Sequence, residues 1–202
     1  MKDAVFYRLN DLFEISSKKL STCWFPDSFL NFKQKEELIE LCKFPKTLKW
    51  RLIYKASKDG FAADDFHSKC DGFEGTLTII KTKKGNYIFG GYTDACWSHS
   101  DGFKEDKNAF IFSLVNRNES QFKCLCSKFQ TAIFCHKGYG PTFGDGHDIF
   151  IENNSNVFSN SHSNLGDSYK NAMYEYSSIE AKALLAGSIN FSTSDVEVYS
   201  NQ

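Results

Sequence analysis

Residues 50–97 read WRLIYKASKDGFAADDFHSKCDGFEGTLTIIKTKKGNYIFGGYTDACW, and the order of elements in this stretch decides the fold. The alternation over Trp50–Ala56 predicts a strand, and Asp59-Gly60 predicts a turn. Ala62–Lys69 follows as a short amphipathic helix with Phe66 and Cys70 on its inner side. Thr76–Thr82 and Tyr87–Thr93 then read as a hairpin closed at Lys84-Gly85-Asn86. Gly60 and Gly85 are turn residues for which positive φ is expected. Gly90 and Gly91 sit inside an apolar strand, which predicts a bulge or the close approach of another backbone.

Working outward, Ala109–Val115 (AFIFSLV) is a continuous apolar run of the kind a central strand carries. Strands are predicted at Phe122–Phe129, Thr131–His136 and His147–Glu152, with Gly138–Gly146 as a glycine-rich ordered loop that packs Tyr139 and Phe143 onto the body. Asn153–Asn164 is a polar loop, and Asp195–Tyr199 (DVEVY) alternates as a closing strand. Toward the N-terminus, Asn31–Cys42 forms a helix with Asn31 as its N-cap, ended by Pro45. A further helix face runs through Val5, Phe6, Leu9, Leu12 and Phe13. The pattern gives a mostly β fold with flanking helices, built as a two-sheet antiparallel β-sandwich rather than from parallel βαβ units. Residues 1–45 form a helical extension packing on the core, and 46–202 form one folding unit.

The chain has 202 residues, 20 of them Phe and only 3 Pro, a composition that supports a full core. No run approaches the roughly 18–20 apolar residues a membrane span needs. The charged N-terminus lacks the apolar region of a signal peptide. A soluble cytoplasmic protein is expected, and Met1 with the short leader suggests a complete small protein. Seven cysteines scattered among apolar neighbours read as buried free thiols of a reducing compartment, not as a disulfide framework.

Net charge is -1, yet residues 1–58 hold 12 basic and 7 acidic side chains against 12 and 18 in the remainder. The excess concentrates in a stretch that includes Lys49, Arg51, Lys55 and Lys58. On an unbroken strand Trp50, Leu52, Tyr54 and Ala56 share one face, and Lys49, Arg51, Ile53 and Lys55 share the other. That second face is either a solvated exterior or a docking stripe for an acidic protein surface. Nucleic acid is disfavoured, because the whole chain is not basic and no recognition motif accompanies the patch. Glu197, between Val196 and Val198, is expected to face away from the core, exposed or paired at the sandwich edge.

Four constellations invite chemistry. Cys124 and Cys126 with Cys135-His136 supply zinc-type donors, but one intervening residue, and then none, departs from zinc spacing. The Gly138–Gly146 loop, with Gly144 and Gly146 at its end, lacks the Lys-Ser/Thr and the helix of a phosphate loop. Cys135, His147 and Asp148 offer hydrolase groups without a nucleophile elbow. Asp145, Asp148, Glu152, Asn153, Asn154 and Asn156 offer oxygens without EF-hand order. For redox sensing, Cys42 beside Lys43 and Cys70 beside Lys69 are the candidates, although both occupy apolar helix positions. No metal, cofactor or catalytic residue is assigned on this basis. A small metal-dependent or thiol-based enzyme is the alternative.

Taken together, WRLIYKASKDG at 50–60, FGGY at 89–92, FIFSL at 110–114, YGPTFGDGHDIFI at 139–151, SNLGDSY at 163–169 and LAGSINFSTSDVEVY at 185–199 resemble the TLDc family. The resemblance covers about Trp50 to Ser200 and the preceding helix. It implies a TLDc-type β-sandwich acting as a protein-interaction module. It further implies protection under oxidative stress, binding to the peripheral sector of the vacuolar V-type ATPase, and recruitment to acidic-organelle membranes through that partner. Asp59, Gly60, Gly90, Gly91, Gly144, Gly146 and Glu197 are the residues carried by its motifs. An adaptor for a different protein partner stays open.

Overall fold

The fold is described for residues 24–201 from a computed structural model. The helix expected within Ala4–Lys19 falls outside the described residues. Helix α1 (Phe32–Cys42) begins as predicted. Asn31 Oδ1 accepts the Gln34 N–H at 2.9 Å and Gln34 Oε1 accepts the Asn31 N–H at 3.0 Å, a reciprocal box that satisfies two otherwise orphaned amides. Lys43 ends the helix in the left-handed region.

There follow β1 (Arg51–Lys55), the one-turn α2 (Ala56–Asp59), α3 (Ala63–Cys70), β2 (Thr76–Thr82) and β3 (Ile88–Thr93). The chain continues through β4 (Gly102–Lys104), β5 (Phe110–Val115), β6 (Phe122–Leu125), β7 (Ile133–Cys135), β8 (Tyr139–Phe143) and β9 (Ile149–Glu152). It closes with β10 (Ser161–His162), α4 (Ile179–Ala183), β11 (Asn190–Phe191) and β12 (Thr193–Ser200). Two six-stranded antiparallel sheets result, in the orders β1-β12-β2-β3-β5-β6 and β11-β10-β9-β8-β7-β4. The glycine-rich segment expected as a loop contains β8, and the polar loop contains β10. Both departures arise because pairing with neighbouring strands overrides weak local β-propensity.

Between the sheets, Ile80, Phe89, Ile111, Val196 and Val198 meet Ile133, Phe143, Ile149 and Ile151. The opposite face of the first sheet carries Leu77, Ile79, Phe112, Leu114 and Tyr199, and is covered by Phe25, Leu38 and Ile39. That sheet is therefore buried on both faces. This is why β5 reads as a continuous apolar run, and why β2 and β3 are buried at nearly every position instead of at alternate ones.

The Gly90-Gly91 pair is crowded from two directions, by the neighbouring strand at Gly90 and by the facing sheet at Gly91. Its pairing to β2 is regular, and the irregularity with β5 falls one step earlier, between Ile88 and Phe89. A Cβ at Gly90 would lie 1.9 Å from the Thr78 carbonyl oxygen, and one at Gly91 would lie 2.6 Å from the Phe143 ring. Close approach, the second of the two expectations, is what these glycines serve.

Candidate functional site

The basic stripe does not survive as one surface. β1 pairs Arg51 with Ser200 and Leu52 with Tyr199, then skips Ile53 and pairs Tyr54 with Val198 and Lys55 with Glu197. The extra residue is a bulge, and it reverses the facing of everything after it. Tyr54 turns into the inter-sheet core, while Leu52 packs with the opposite core. Trp50, Leu52, Tyr54 and Ala56 thus do not share a face, nor do Arg51 and Lys55. Lys49, Arg51 and Lys58 remain exposed, with the Arg51 guanidinium 5.2 Å from the centre of the Phe73 ring.

Lys55 has turned inward. Its Nζ donates to Glu197 Oε1 at 2.8 Å and to the Asp27 carbonyl at 2.7 Å, with Asp195 Oδ2 at 3.9 Å. Glu197 is fully buried, which corrects the expectation of an exposed or edge position. β12 is an interior strand, and residues 25–30 lie over its outer face. Glu197 does point away from the valines and is paired, as expected of its parity. It accepts the Phe29 N–H at 2.8 Å, the Ser28 hydroxyl at 2.6 Å and the Tyr199 hydroxyl at 3.2 Å.

Asp59 and Gly60 build the corner after β1. Asp59 Oδ2 accepts the Lys55 N–H at 2.9 Å, and Lys69 Nζ lies 3.6 Å from Oδ1. Gly60 has φ 112°, and a Cβ there would meet the Asp65 carboxylate. The corner is structural, and it presents Lys58 to solvent.

A second surface forms around Gly144 and Gly146. Gly144 has φ 80°, with the Asp148 carboxylate occupying the space a side chain would need. Gly146 is pressed against Asp167 and the Tyr176 hydroxyl. Asp148 is fully buried and accepts amides from Gly166, Asp167, Ser168 and Tyr169 at 2.8–3.4 Å. It thereby fastens the 163–169 segment to β9, and the chain beyond it leaves Met173, Tyr174, Tyr176 and Ile179 standing out in solvent. A shallow groove runs alongside, between the Arg117-Asn118 turn and Tyr174, Glu180 and Leu184.

Burial pushes the Asp148 carboxyl up to about 6 from 3.8, against the pull of the four amides. A folded-state value above the unfolded one means that the native protein holds an extra proton between those limits. Stability from this group is therefore present below pH 4 and lost as pH rises to about 6, by about 3 kcal/mol in total. Urea denaturation between pH 4 and 7 should show that downward slope in the wild type and a shallower one in Asp148→Asn. Equal slopes would refute it.

The catalytic constellations come apart in space. Asp148 is occupied by backbone amides, His147 stacks on Phe150 with ring centroids 5.2 Å apart, and Cys135 bonds to Ser98. They share no hydrogen bond. Among the calcium-type donors, Asn153 Oδ1 accepts the Ala63 N–H and Glu152 Oε1 accepts from Asn160. Cys42 and Cys70 are core thiols, the first pushed by burial up to about 12 and the second well above the usual thiol range. Cys124 is likewise pushed up to about 12 and Cys126 to about 11, both chiefly by burial.

Two features escaped sequence reasoning. Lys104 Nζ sits 3.5 Å from Cys96 Sγ on a half-buried loop, a pairing eight residues apart that neighbour inspection overlooks. Among the described residues, the donors that do gather are His67, Asp71 and His99, whose ligand atoms lie within 4.8 Å of one another. The helical i, i+4 spacing of His67 and Asp71 was a usable signal.

Comparison with known proteins agrees with this architecture. A stretch of 65 residues, 32% of this chain, is 29% identical to the MTOR-associated protein MEAK7 of Danio rerio and covers 14% of that relative. The chain thus matches only a small part of the curated relative's length. The family description "TLDc domain" matches residues 25–202, from Phe25 beneath the first sheet through β12. On that match across nearly the whole described fold, the chain belongs to the TLDc domain family.

Proposed function

We propose that this chain is a non-catalytic TLDc interaction module that binds the peripheral sector of a V-type ATPase and modulates its assembly. In that role it contributes to oxidative-stress resistance from the cytoplasm, recruited to acidic-organelle membranes by its partner. The observation that carries a binding role is the exposed set Met173, Tyr174, Tyr176 and Ile179 on a fold with two filled hydrophobic cores. Exposed aromatic and Met side chains are typical anchors of protein interfaces. No helix among the described residues is long and apolar enough to cross a membrane.

Lys49, Arg51 and Lys58 are the proposed electrostatic contacts. Lys55 is left out of the test because its ammonium is committed inside the fold. The experiment is binding of the purified chain to purified peripheral sector. Lys49/Arg51/Lys58→Glu should weaken binding about tenfold at low salt and less at high salt. Tyr174/Tyr176/Ile179→Ser should weaken it by about 100-fold at any salt. No binding by the wild type overturns the reading. Because the MEAK7 relative is described as MTOR-associated, a cytosolic pull-down that recovers MTOR and no pump subunits would favour an adaptor in its place.

A further inference from the structure

We infer that His67, Asp71 and His99 form a binding site for a divalent first-row transition ion, with zinc the best match. None of its three residues belongs to either proposed contact set. His67 lies in α3 and is buried, and Asp71 caps that helix four residues on, its N–H donating to the His67 carbonyl at 3.1 Å. The Asp71 carboxylate then bridges the two rings, with Oδ1 2.8 Å from His67 Nδ1 and Oδ2 2.5 Å from His99 Nδ1.

The far nitrogen of His67 fixes its chemistry. Nε2 lies 3.0 Å from the His136 carbonyl oxygen, which can only accept, so Nε2 carries the proton. In the neutral ring Nδ1 is then a lone pair aimed at a carboxylate oxygen, and that arrangement calls for a positive centre between them. A ring N–H held by a backbone carbonyl, leaving the other nitrogen to coordinate, is the outer support that metal-bound histidines have.

The loop carrying His99 is fixed as well. Trp97 pairs with Asp71 across a short bridge, Gly72 N–H donates to the Trp97 carbonyl at 3.1 Å, and the buried Trp97 ring donates to Thr76 Oγ1 at 3.0 Å. His99 therefore projects two residues beyond a rigid anchor. Its side chain is 55% exposed, which leaves one flank open for a water ligand.

Two imidazoles and one carboxylate select zinc-like ions over magnesium or calcium, which take all-oxygen sets. Tetrahedral zinc holds neighbouring ligand atoms about 3.3 Å apart. The two His–Asp separations would widen by less than 1 Å, and the two ring ligand atoms, already within 4.8 Å of each other, would turn toward the same ion, movements the exposed His99 can make. The competing occupant is a proton, giving a hydrogen-bonded His-Asp-His chain without affinity for metal.

The test uses the full chain, with equilibrium dialysis against Zn²⁺ and optical titration with Co²⁺. One equivalent of each should bind. Cobalt should give visible d–d bands without the near-ultraviolet charge-transfer band of thiolate ligation. His99→Ala alters an exposed side chain and should fold normally by circular dichroism, yet lose affinity by about 100-fold or more. Zinc should raise the Tm of the wild type and leave that of His99→Ala unchanged. No retained metal, equal retention by His99→Ala and Asp71→Asn, or a thiolate band would each overturn the assignment.

Discussion

Lys55→Met should destabilise the protein by about 3–5 kcal/mol, although the side chain is of similar length and the lysine lies near the surface. The cost does not come from losing a surface ion pair, which is worth about 1 kcal/mol at most. It comes from what stays behind. Glu197 is fully buried, and Lys55 Nζ at 2.8 Å is its nearest cation. Removing one partner of such a pair leaves a charge without compensation in a low-dielectric setting. The remaining donors are the Ser28 and Tyr199 hydroxyls and the Phe29 amide, which soften the penalty without supplying charge, and the buried Lys35 ammonium acts on Glu197 only from beyond ion-pair distance. Glu197→Gln in the Lys55→Met background should recover part of the loss, since a neutral amide can keep several of these bonds. Urea denaturation at pH 7 of the wild type, both single variants and the pair gives the coupling directly. A Lys55→Met cost below about 1 kcal/mol would mean that water reaches Glu197.

Gly90→Ala and Gly91→Ala should both destabilise, in that order of severity. At Gly91 the added methyl meets the Phe143 ring 2.6 Å away, a side chain that can tilt at the expense of its packing on Trp97 and Tyr169. About 1–3 kcal/mol is expected for such overpacking. At Gly90 the obstacle is the Thr78 carbonyl at 1.9 Å, part of the neighbouring strand's backbone. Only separation of β2 from β3 relieves it, so the cost should exceed 3 kcal/mol. Phe143→Leu should rescue Gly91→Ala partially and leave Gly90→Ala unchanged. Thermal unfolding of the wild type, the three single variants and the two double variants tests this, and equal losses at the two glycines would remove the argument.

What was legible in the sequence was whatever depends on near neighbours. Asn31 announces the start of α1, and the run FIFSL announces a central strand. The facing of Arg51 and Lys55 was not legible, because parity assumes an unbroken strand and nothing in Leu52-Ile53-Tyr54 signals an inserted residue. The burial of Glu197 depends on Ser28 and Phe29, nearly 170 positions earlier, and no local pattern reaches that far. His99 was hidden for a similar reason, since its meeting with Asp71 is arranged by the Trp97 bridge and not by periodicity. The exposure of Met173, Tyr174, Tyr176 and Ile179 has no local signal in the sequence, and only the path of the chain after Asp148's anchored segment turns them outward.

The position of β12 has a bearing on how the protein is made. β1 emerges from the ribosome early, yet its partner strand lies 142 residues later at the Lys55–Glu197 contact. β2 waits for the same strand. During synthesis both therefore carry unpaired edges and an uncovered apolar face, the state in which nascent chains aggregate or recruit chaperones. Sheet closure therefore waits until β12 has been made, and its pairings across long sequence separations place folding in the slow range of β-rich domains. A premature stop before residue 193 would thus delete an interior strand and leave β1 without its partner, rather than trim the margin of the sheet, and the product should be degraded instead of partly active.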